Sequence, residues 1–144
     1  MQEPVNKNEG WQTAISRKNM EAPLREIPIK GKVLDYGCGR GQTADREGWE
    51  KYDPNWFPQV VFTNYDTILC TYVANVITKE DDRHALYKSL MMVSGGRATI
   101  YLTVRRNIKN TKTQIDIPEE EILSLGYKSF LKKRDYEIYV IGRK

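Results

Sequence analysis

The sequence predicts an α/β fold with a mostly parallel sheet, helices on both faces and a C-terminal antiparallel hairpin. Three observations predict it. Apolar runs that fit buried strands alternate with helical segments over residues 31–105. A glycine-rich turn follows the first of these runs. The chain then ends in two β-rich segments on either side of the turn residues around Arg134–Asp135, as in a hairpin.

The elements can be placed in order along the chain. Strands are predicted at Lys32–Tyr36, Glu50–Asp53, Tyr65–Val73 and Arg97–Val104, and the hairpin strands at Tyr127–Lys133 and Tyr136–Gly142. A short polar helix should follow the glycine turn and end near Gly48. Thr78, with Asp81, is expected to cap a second helix that stops at Gly95–Gly96. Pro118 should start a small helix closed by Gly126, and a further short helix is placed over Thr13–Met20.

The length of 144 residues fits one domain, which we divide into an N-terminal segment or lid (1–30) and the domain proper (31–144). Apolar residues make up 40% and charged residues 29%, as in an ordinary soluble protein. No apolar run approaches the roughly 20 residues that a membrane span requires. The polar N-terminus does not resemble a secretion signal, so we expect an intracellular, cytoplasmic protein.

Cysteine and histidine are too few for a structural metal site. Cys38 and Cys70 form neither a disulfide framework nor a metal-binding spacing, and His84 is the sole histidine. Because a structural zinc site usually takes about four Cys or His ligands, we predict no metal. His84 lies among charged residues and is expected to be solvated.

Positive charge is concentrated in the last third of the chain. Residues 97–144 contain eleven Lys or Arg against six Asp or Glu, a net +5, while the whole chain carries +4 and the rest therefore −1. Two interpretations stay open. The basic residues form either a solvated surface or a face for an anionic partner such as nucleic acid.

The segment Val33–Gly41 reads VLDYGCGRG and is the strongest functional signal. Gly37, Gly39 and Gly41 allow a sharp turn and a close approach of backbone to a ligand. In an open parallel sheet such a turn lies at the carboxyl ends of the strands, where ligands bind. Asp53 follows Asp35 by eighteen residues and should lie beside the loop, where an acid can accept hydrogen bonds from ribose hydroxyls.

VLDYGCGRG resembles the first motif of class I S-adenosylmethionine-dependent methyltransferases. KYDP resembles their second motif, YDTILCTYVANVI the fourth with the active-site wall, and GGRATIYLTV the strand after it. Together with TAISRKNMEAP, these segments resemble small uncharacterised methyltransferases of bacteria and phages, some of them associated with DNA modification. The resemblance covers most of residues 11–105 and implies a Rossmann-like fold and S-adenosylmethionine as cofactor.

The resemblance also implies roles for individual residues. The cofactor's amino-acid end would meet the backbone of Gly37, Cys38 and Gly39. Asp35 would orient this loop or the methionine amino group, and Tyr36 belongs to the same cofactor-binding motif. Asp53 would hold the ribose. Cys70, Thr71 and Tyr72 would face the methionine portion and the methyl group. We interpret Cys70 itself as a small buried apolar residue rather than a reactive thiol. Further site candidates are Tyr72 and Asn75 for catalysis and Arg17, from the lid, for the cofactor carboxylate or the substrate.

The chain departs from the family pattern at three places. Between Asp53 and Tyr65 there is room for little more than a loop, so the third strand and its helix are predicted to be trimmed. Trp56 or Phe57 would then stack on the adenine or simply pack in the core. The end of the fourth-motif strand lacks the Pro-Pro of exocyclic-amine DNA methyltransferases, and neither cysteine follows a proline, as cytosine-carbon methylation requires.

The acceptor is therefore unassigned. The basic run Arg105, Arg106, Lys109 and Lys112 follows the strand predicted at Arg97–Val104. It should therefore lie at the same edge of the sheet as the cofactor site, where it would receive substrate phosphates. We assign substrate binding to Arg105 and Arg106. Sequence-specific DNA methylation would need a partner protein or an oligomer for target recognition, since the chain is short. Two alternatives remain: a non-catalytic module that binds S-adenosylmethionine or nucleic acid, and an enzyme that degrades the cofactor.

Overall fold

A computed structural model of the protein describes residues 5–6, 21–58 and 64–142. The helices within these residues are α1 (Glu21–Glu26), α2 (Gln42–Glu47), α3 (Glu80–Ser94) and α4 (Glu119–Leu123), with a 3-10 turn at Ala74–Val76. The strands are β1 (Val33–Tyr36), β2 (Glu50–Tyr52), β3 (Thr67–Thr71), β4 (Thr99–Arg105), β5 (Lys128–Lys132) and β6 (Tyr136–Ile141).

The six strands form one sheet in the order β2-β1-β3-β4-β6-β5. Strands β1 to β4 pair in parallel, whereas β6 is antiparallel to both β4 and β5. The predicted Rossmann-like α/β class with a C-terminal antiparallel hairpin is confirmed. From β1 the chain first runs outward to β2 and then crosses to β3 on the other side, so the strand order reverses between β1 and β3. Ligands of open α/β sheets bind at such a reversal.

Both faces of the sheet are covered. On one face, strand residues pack under α3 and α4 through Leu34, Ile68, Ile100, Leu102, Leu86, Leu90 and Ile122. On the other face, a second cluster joins the strands to the region of α1 through Val33, Leu69, Tyr101, Ile138, Ile27 and Leu24. Because both faces are buried, β3 is buried along its whole length, as its continuous apolar run predicted.

The N-terminal region differs from the prediction. The helix predicted over Thr13–Met20 lies outside the described residues, and α1 follows it at Glu21–Glu26. Leu24, Ile27 and Ile29 belong to the second core cluster, so residues 24–29 pack as part of the domain. The division of the chain into a segment or lid (1–30) and the domain proper (31–144) stays a prediction.

Two helix ends also differ. Lys79, not Thr78, is the N-cap of α3, and no side chain caps it. The Thr78 carbonyl instead accepts a hydrogen bond from the Arg83 guanidinium at 3.1 Å, a contact that a local capping pattern does not encode. Helix α4 ends at Leu123 rather than at Gly126, which lies in the following turn with φ 100°. Gly95 ends α3 in the left-handed conformation, as predicted.

The segment after β2 is a tight turn rather than a strand in its described part. Asp53 and Phe57 exchange two backbone hydrogen bonds of 2.9 Å and form an isolated antiparallel bridge. Asn6 lies against this turn, with its amide group donating to the Pro54 carbonyl at 2.7 Å. The predicted trimming of the third strand agrees with this turn for residues 53–58. None of the helices in the described part of the chain is long and apolar enough to cross a membrane.

Candidate functional site

The glycine loop Gly37–Gly41 links β1 to α2 at the reversal of strand order. Gly37, Gly39 and Gly41 have φ angles of 85°, 60° and 77°, which strain any residue with a side chain. The loop is folded onto the end of β2, because the backbone N–H groups of Gly37 and Cys38 both donate to the Tyr52 carbonyl, at 2.7 and 3.0 Å. The sequence predicted this loop and its place at the carboxyl ends of the strands.

Asp53 fastens the loop to the turn that follows β2. One oxygen of its carboxylate, Oδ2, accepts from the N–H of Gly39 at 2.8 Å. The other, Oδ1, accepts from the N–H groups of Asn55 and Trp56 at 2.8 and 3.2 Å. Asp53 thus lies beside the glycine loop, as its spacing predicted, and both oxygens already bind main chain. The ribose role stays a prediction.

The loop's N–H groups are largely used within the chain. Besides Gly37, Cys38 and Gly39, Gly41 donates to the Cys38 carbonyl at 3.0 Å. These four N–H groups are therefore not free to donate to a ligand in this conformation. A ligand would instead approach the glycine Cα atoms and the side chains that border the loop.

Gly37 also permits close packing with the end of β3. A Cβ atom at Gly37 would lie 2.3 Å from Cγ2 of Val73, and one at Gly41 would lie 2.6 Å from Cδ of Lys51. The loop therefore contacts the turn that holds Tyr72 and Val73. The requirement for glycine here comes from backbone conformation and from packing together.

Tyr72, the residue after β3, has a φ angle of 64°. A positive φ is uncommon for a bulky residue and costs of order 1–3 kcal/mol. Its N–H donates to the Thr103 carbonyl at 2.9 Å, which keeps it next to the end of β4. Strained residues concentrate at functional sites, so the conformation agrees with the predicted placement of Tyr72 beside the reacting group.

Two buried polar atoms at the carboxyl edge of the sheet have no hydrogen-bond partner among the described residues. They are Nε1 of Trp56 and Oγ1 of Thr103. Trp56 follows Asp53 in the same turn, and the Arg40 guanidinium lies 5.0 Å from the centre of its ring. Thr103 pairs in register with Thr71 at the carboxyl ends of β4 and β3. Unpaired buried polar groups are costly, so these atoms fit a ligand with hydrogen-bonding groups such as a nucleoside cofactor.

The ring faces near the loop are already partly covered. Arg40 covers Trp56, and Nζ of Lys51 lies 4.2 Å from the centre of the Phe57 ring. Trp56 is buried and Phe57 half-buried. Both residues pack against the protein, which agrees with the core-packing alternative; adenine stacking stays a prediction.

Tyr36 and Cys70 point into the core under α3. Both belong to the first core cluster, and the Tyr36 ring stacks on Tyr52 at 4.6 Å between centroids. The Cys70 side chain is fully buried. These two residues of the predicted cofactor site can therefore reach a ligand only through their backbone in this conformation. Asp35 and Thr71 are also buried, at the carboxyl ends of β1 and β3.

Cys38 is half-buried, and neither cysteine forms a disulfide bond within the described residues. Burial, followed by the negative charges of Asp35 and Asp53, raises the pKa of the Cys38 thiol far above its usual range. The thiol therefore stays protonated at neutral pH and is a poor nucleophile.

Asn75 joins the 3-10 turn after β3 to the end of β4. Its Oδ1 accepts from the Arg105 N–H at 2.7 Å, and its Nδ2 donates to the Ile115 carbonyl at 2.9 Å. Its own carbonyl accepts from the Ile115 N–H at 2.8 Å, and its side chain is fully buried. The structure thus uses Asn75 to position the loop after β4, and its predicted catalytic role gains no support from this geometry.

Arg105 and Arg106 have different environments. Arg105 is exposed, and its one side-chain bond in the described residues is a long one of 3.4 Å to Gln114. Arg106 turns inward: it donates to Glu137 at 3.2 Å, to the Tyr139 hydroxyl at 2.7 Å and to the Ile117 carbonyl. Arg106 is therefore a structural residue in this conformation, and of the two predicted substrate-binding arginines only Arg105 faces solvent. Arg17 lies outside the described residues.

A second buried network joins α3 to α4. Arg83 makes a two-pronged salt bridge to Glu121, with bonds of 2.8 and 2.7 Å, and the Tyr87 hydroxyl donates to the same carboxylate at 2.5 Å. Ligand atoms of Glu80, His84 and Glu121 lie within 4.8 Å of one another. Because Arg83 occupies both oxygens of Glu121 with a positive charge, we do not assign a cation to this cluster.

An open groove of about 630 Å³ lies away from the glycine loop. Its lining includes Leu24, Ile27 and Trp49, the last of which precedes β2 at the amino edge of the sheet. It is therefore separate from the candidate site.

Sequence reasoning missed the contribution of the hairpin turn to this edge. Since β6 is antiparallel to β4, Tyr136 pairs with Arg105, and the N–H of Arg106 donates to the Asp135 carbonyl at 2.9 Å. The exposed residues Lys133 and Arg134 consequently lie at the carboxyl edge of the parallel strands. The basic character of the last third was a signal, but only the strand order locates it.

The likeness of this chain to known proteins concerns its fold. No family model and no curated protein matches the sequence. Among solved structures, one chain of "Structure of the Pnkp1/Rnl/Hen1 RNA repair complex" superposes on 86% of this chain with a TM-score of 0.54 and 12% sequence identity. The protein spans 40% of the length of that chain. At this identity the likeness supports the α/β fold alone.

Proposed function

We propose that the protein is an S-adenosylmethionine-dependent methyltransferase whose acceptor is unassigned, with nucleic acid as the first candidate. The observation that carries the proposal is the bond from Gly39 to Asp53, which closes a left-handed glycine loop at the reversal of strand order. The motif resemblance of Val33–Gly41 names the cofactor class. The similar solved structure belongs to an RNA repair complex, which agrees with a nucleic-acid acceptor.

In this proposal the chain's own residues position the two reactants. The glycine loop and Asp53 would receive the amino-acid and ribose parts of the cofactor. Trp56 Nε1 and Thr103 Oγ1 are buried hydrogen-bonding groups at the same edge of the sheet. The bound cofactor supplies the activated methyl group, so the protein has to supply orientation and electrostatics. Tyr72 is held at the end of β3 next to the loop, where its side chain would meet the acceptor.

A non-catalytic binding module is the second candidate. Asn75 is committed to the main chain and the Cys70 side chain is buried, so neither offers a reactive group at the surface. Tyr72, which is itself only 9% exposed, is then the main residue on which transfer chemistry would depend. An enzyme that breaks the cofactor down is a third alternative.

Calorimetric titration with S-adenosylmethionine and with S-adenosylhomocysteine tests the proposal first. Micromolar binding of either is expected, and absence of both would contradict the cofactor assignment. Transfer of a labelled methyl group to RNA or DNA would then support the enzyme, whereas binding without transfer to either would favour the module. Release of methylthioadenosine or homoserine lactone without an acceptor would favour cofactor breakdown.

Tyr72→Phe separates binding from chemistry. If the hydroxyl assists proton removal from the acceptor, transfer should fall about a hundredfold while affinity for the cofactor stays unchanged. Equal transfer rates for this variant and the parent protein would remove the hydroxyl from the mechanism.

A further inference from the structure

Five exposed cations lie in two segments at the carboxyl edge of the sheet, and we call them the basic edge. They are Arg105, Lys109 and Lys112 in the loop after β4, and Lys133 and Arg134 in the hairpin turn. The turn and the loop are joined by the bond from the Arg106 N–H to Asp135 and by a 3.4 Å bond from the Asn107 amide to the Asp135 carboxylate. The fold thus unites two basic segments that are separated in the sequence.

Two carboxylates, Asp116 and Asp135, lie in these segments against the five cations. The Asp135 carboxylate bonds to the neutral Asn107 amide. Within the described part of the chain, Lys109, Lys112, Lys133 and Arg134 make no salt bridge. The loop's own acid, Asp116, is paired with Arg106 at 3.0 Å. A row of unpaired exposed cations attracts a polyanion through the release of its counterions.

The same hairpin carries an exposed aromatic ring. Phe130 lies in β5 at an irregularity between Ser129 and Leu131, and it is 42% exposed. Its ring rests edge-on against Tyr101, with centroids 5.6 Å apart. Tyr101 is buried in the sheet, so the Phe130 ring has a rigid support. From Phe130 to Lys133 the chain advances about 10 Å in an extended strand.

We propose that the hairpin and the loop after β4 form a binding surface for a single-stranded nucleic acid. The basic edge would contact consecutive phosphates, and a base would stack on Phe130. Cations beside a supported, exposed ring suit unpaired bases, because a duplex keeps the faces of its bases inside the stack. The inference extends the proposed function by naming the class of acceptor, but it concerns a surface outside the glycine loop.

Fluorescence anisotropy with labelled oligonucleotides of about 12 nucleotides tests the proposal. Single-stranded RNA, single-stranded DNA and a DNA duplex are titrated with the full chain across about 50 to 200 mM salt. The test variant is Lys133→Ala with Arg134→Ala. The control, Lys88→Ala with Lys128→Ala, removes the same charge from α3 and from the other end of β5, where both residues are exposed.

The hairpin-turn variant should bind a single strand more weakly and with a salt slope shallower by about 1.4, since each lost phosphate contact contributes about 0.7 for single strands. The control pair should keep the slope of the parent protein. Phe130→Leu should weaken binding about tenfold without changing the slope, and Phe130→Tyr should restore the affinity.

Equal slopes for the two double variants would overturn the basic edge. No binding of a single strand by the parent protein, or tighter binding of the duplex, would overturn the proposal as a whole. Tighter binding of single-stranded RNA than of single-stranded DNA, or the reverse, shows which nucleic acid the surface prefers. Either preference supports the proposal. Titration of the hairpin variants with S-adenosylmethionine should give the affinity of the parent protein, so a failure here is distinguishable from a failure of the cofactor assignment.

Discussion

The carboxylate of Asp53 accepts a hydrogen bond from the N–H of Gly39, fourteen residues earlier, at 2.8 Å. This bond ties the loop after β1 to the turn after β2, two segments that lie side by side because their strands pair in parallel. An acid that the sequence assigned to a ligand is therefore also part of the loop's own structure. Any change at Asp53 has to be measured on stability as well as on binding.

Asp53→Ala should lower the free energy of unfolding by about 3 kcal/mol, because the buried N–H groups of Gly39 and Asn55 lose a charged acceptor. Urea unfolding of the variant and the parent protein measures this loss of free energy. Asp45→Ala is the control, since Asp45 is exposed and makes a surface ion pair with Lys51 at 2.7 Å. It should cost less than about 1 kcal/mol. Similar losses for the two variants would argue against the anchoring role of Asp53.

Gly37→Ala should destabilise the protein by more than Gly48→Ala. Both glycines have a left-handed φ, of 85° and 75°, so both substitutions carry the backbone penalty of about 1 kcal/mol. Only at Gly37 would the new Cβ collide with Val73, whereas Gly48 has open space around it. The collision should add about 1–3 kcal/mol.

Adding Val73→Ala to Gly37→Ala should recover part of this difference. Thermal or urea unfolding of the parent protein, the two glycine variants and the double variant measures these differences. If Gly37→Ala and Gly48→Ala were equally stable, packing between the loop and the end of β3 would not contribute.

Arg106→Ala should change the stability of the protein, whereas Arg105→Ala should change its binding of nucleic acid. Removing Arg106 leaves the buried carboxylate of Glu137 without its cation, so the free energy of unfolding should fall by about 3 kcal/mol. Removing the exposed Arg105 should change stability by no more than about 0.5 kcal/mol. Arg105→Ala should instead flatten the salt dependence of nucleic-acid binding. A stable Arg106→Ala variant with impaired binding would restore the substrate role predicted for it.

Glu121 should give the protein part of its acid sensitivity. Burial alone would raise the pKa of this carboxyl, but hydrogen bonds from Arg83 and Tyr87 and the charge of Arg83 together lower it below its usual value. A lowered pKa in the folded state stabilises the protein above the unfolded value of about 4.3, and this stability is lost as pH falls through the folded value.

Glu121→Gln should therefore reduce the loss of stability at acid pH. Near pH 7 it should lower the free energy of unfolding by about 3 kcal/mol, because the Arg83 guanidinium stays buried without its counter-charge. Unfolding measured across this pH range tests both. Glu120→Gln, at the exposed neighbouring position, should leave stability at neutral pH almost unchanged. An unchanged acid limb in Glu121→Gln would assign the sensitivity to other groups.

The sequence predicted the local features of this protein. Continuous apolar runs predicted β1 and β3, because a strand buried on both faces needs apolar residues on both. The glycines predicted the loop after β1, since only glycine adopts its φ angles without strain. The alternation of strands and helices predicted the parallel sheet, and the turn residues predicted the hairpin. Each of these signals depends on residues close together in the chain.

The tertiary structure alone decided which side chains the site can use. Asn75 and Arg106 are polar residues at suitable positions, yet long-range partners at Ile115 and Glu137 occupy them. Arg105, the last residue of β4, faces solvent, whereas Arg106 begins the following loop and turns inward to Glu137. The strand order brought the hairpin turn beside the loop after β4. Such pairings depend on how the whole sheet packs, and no local pattern of residues records them.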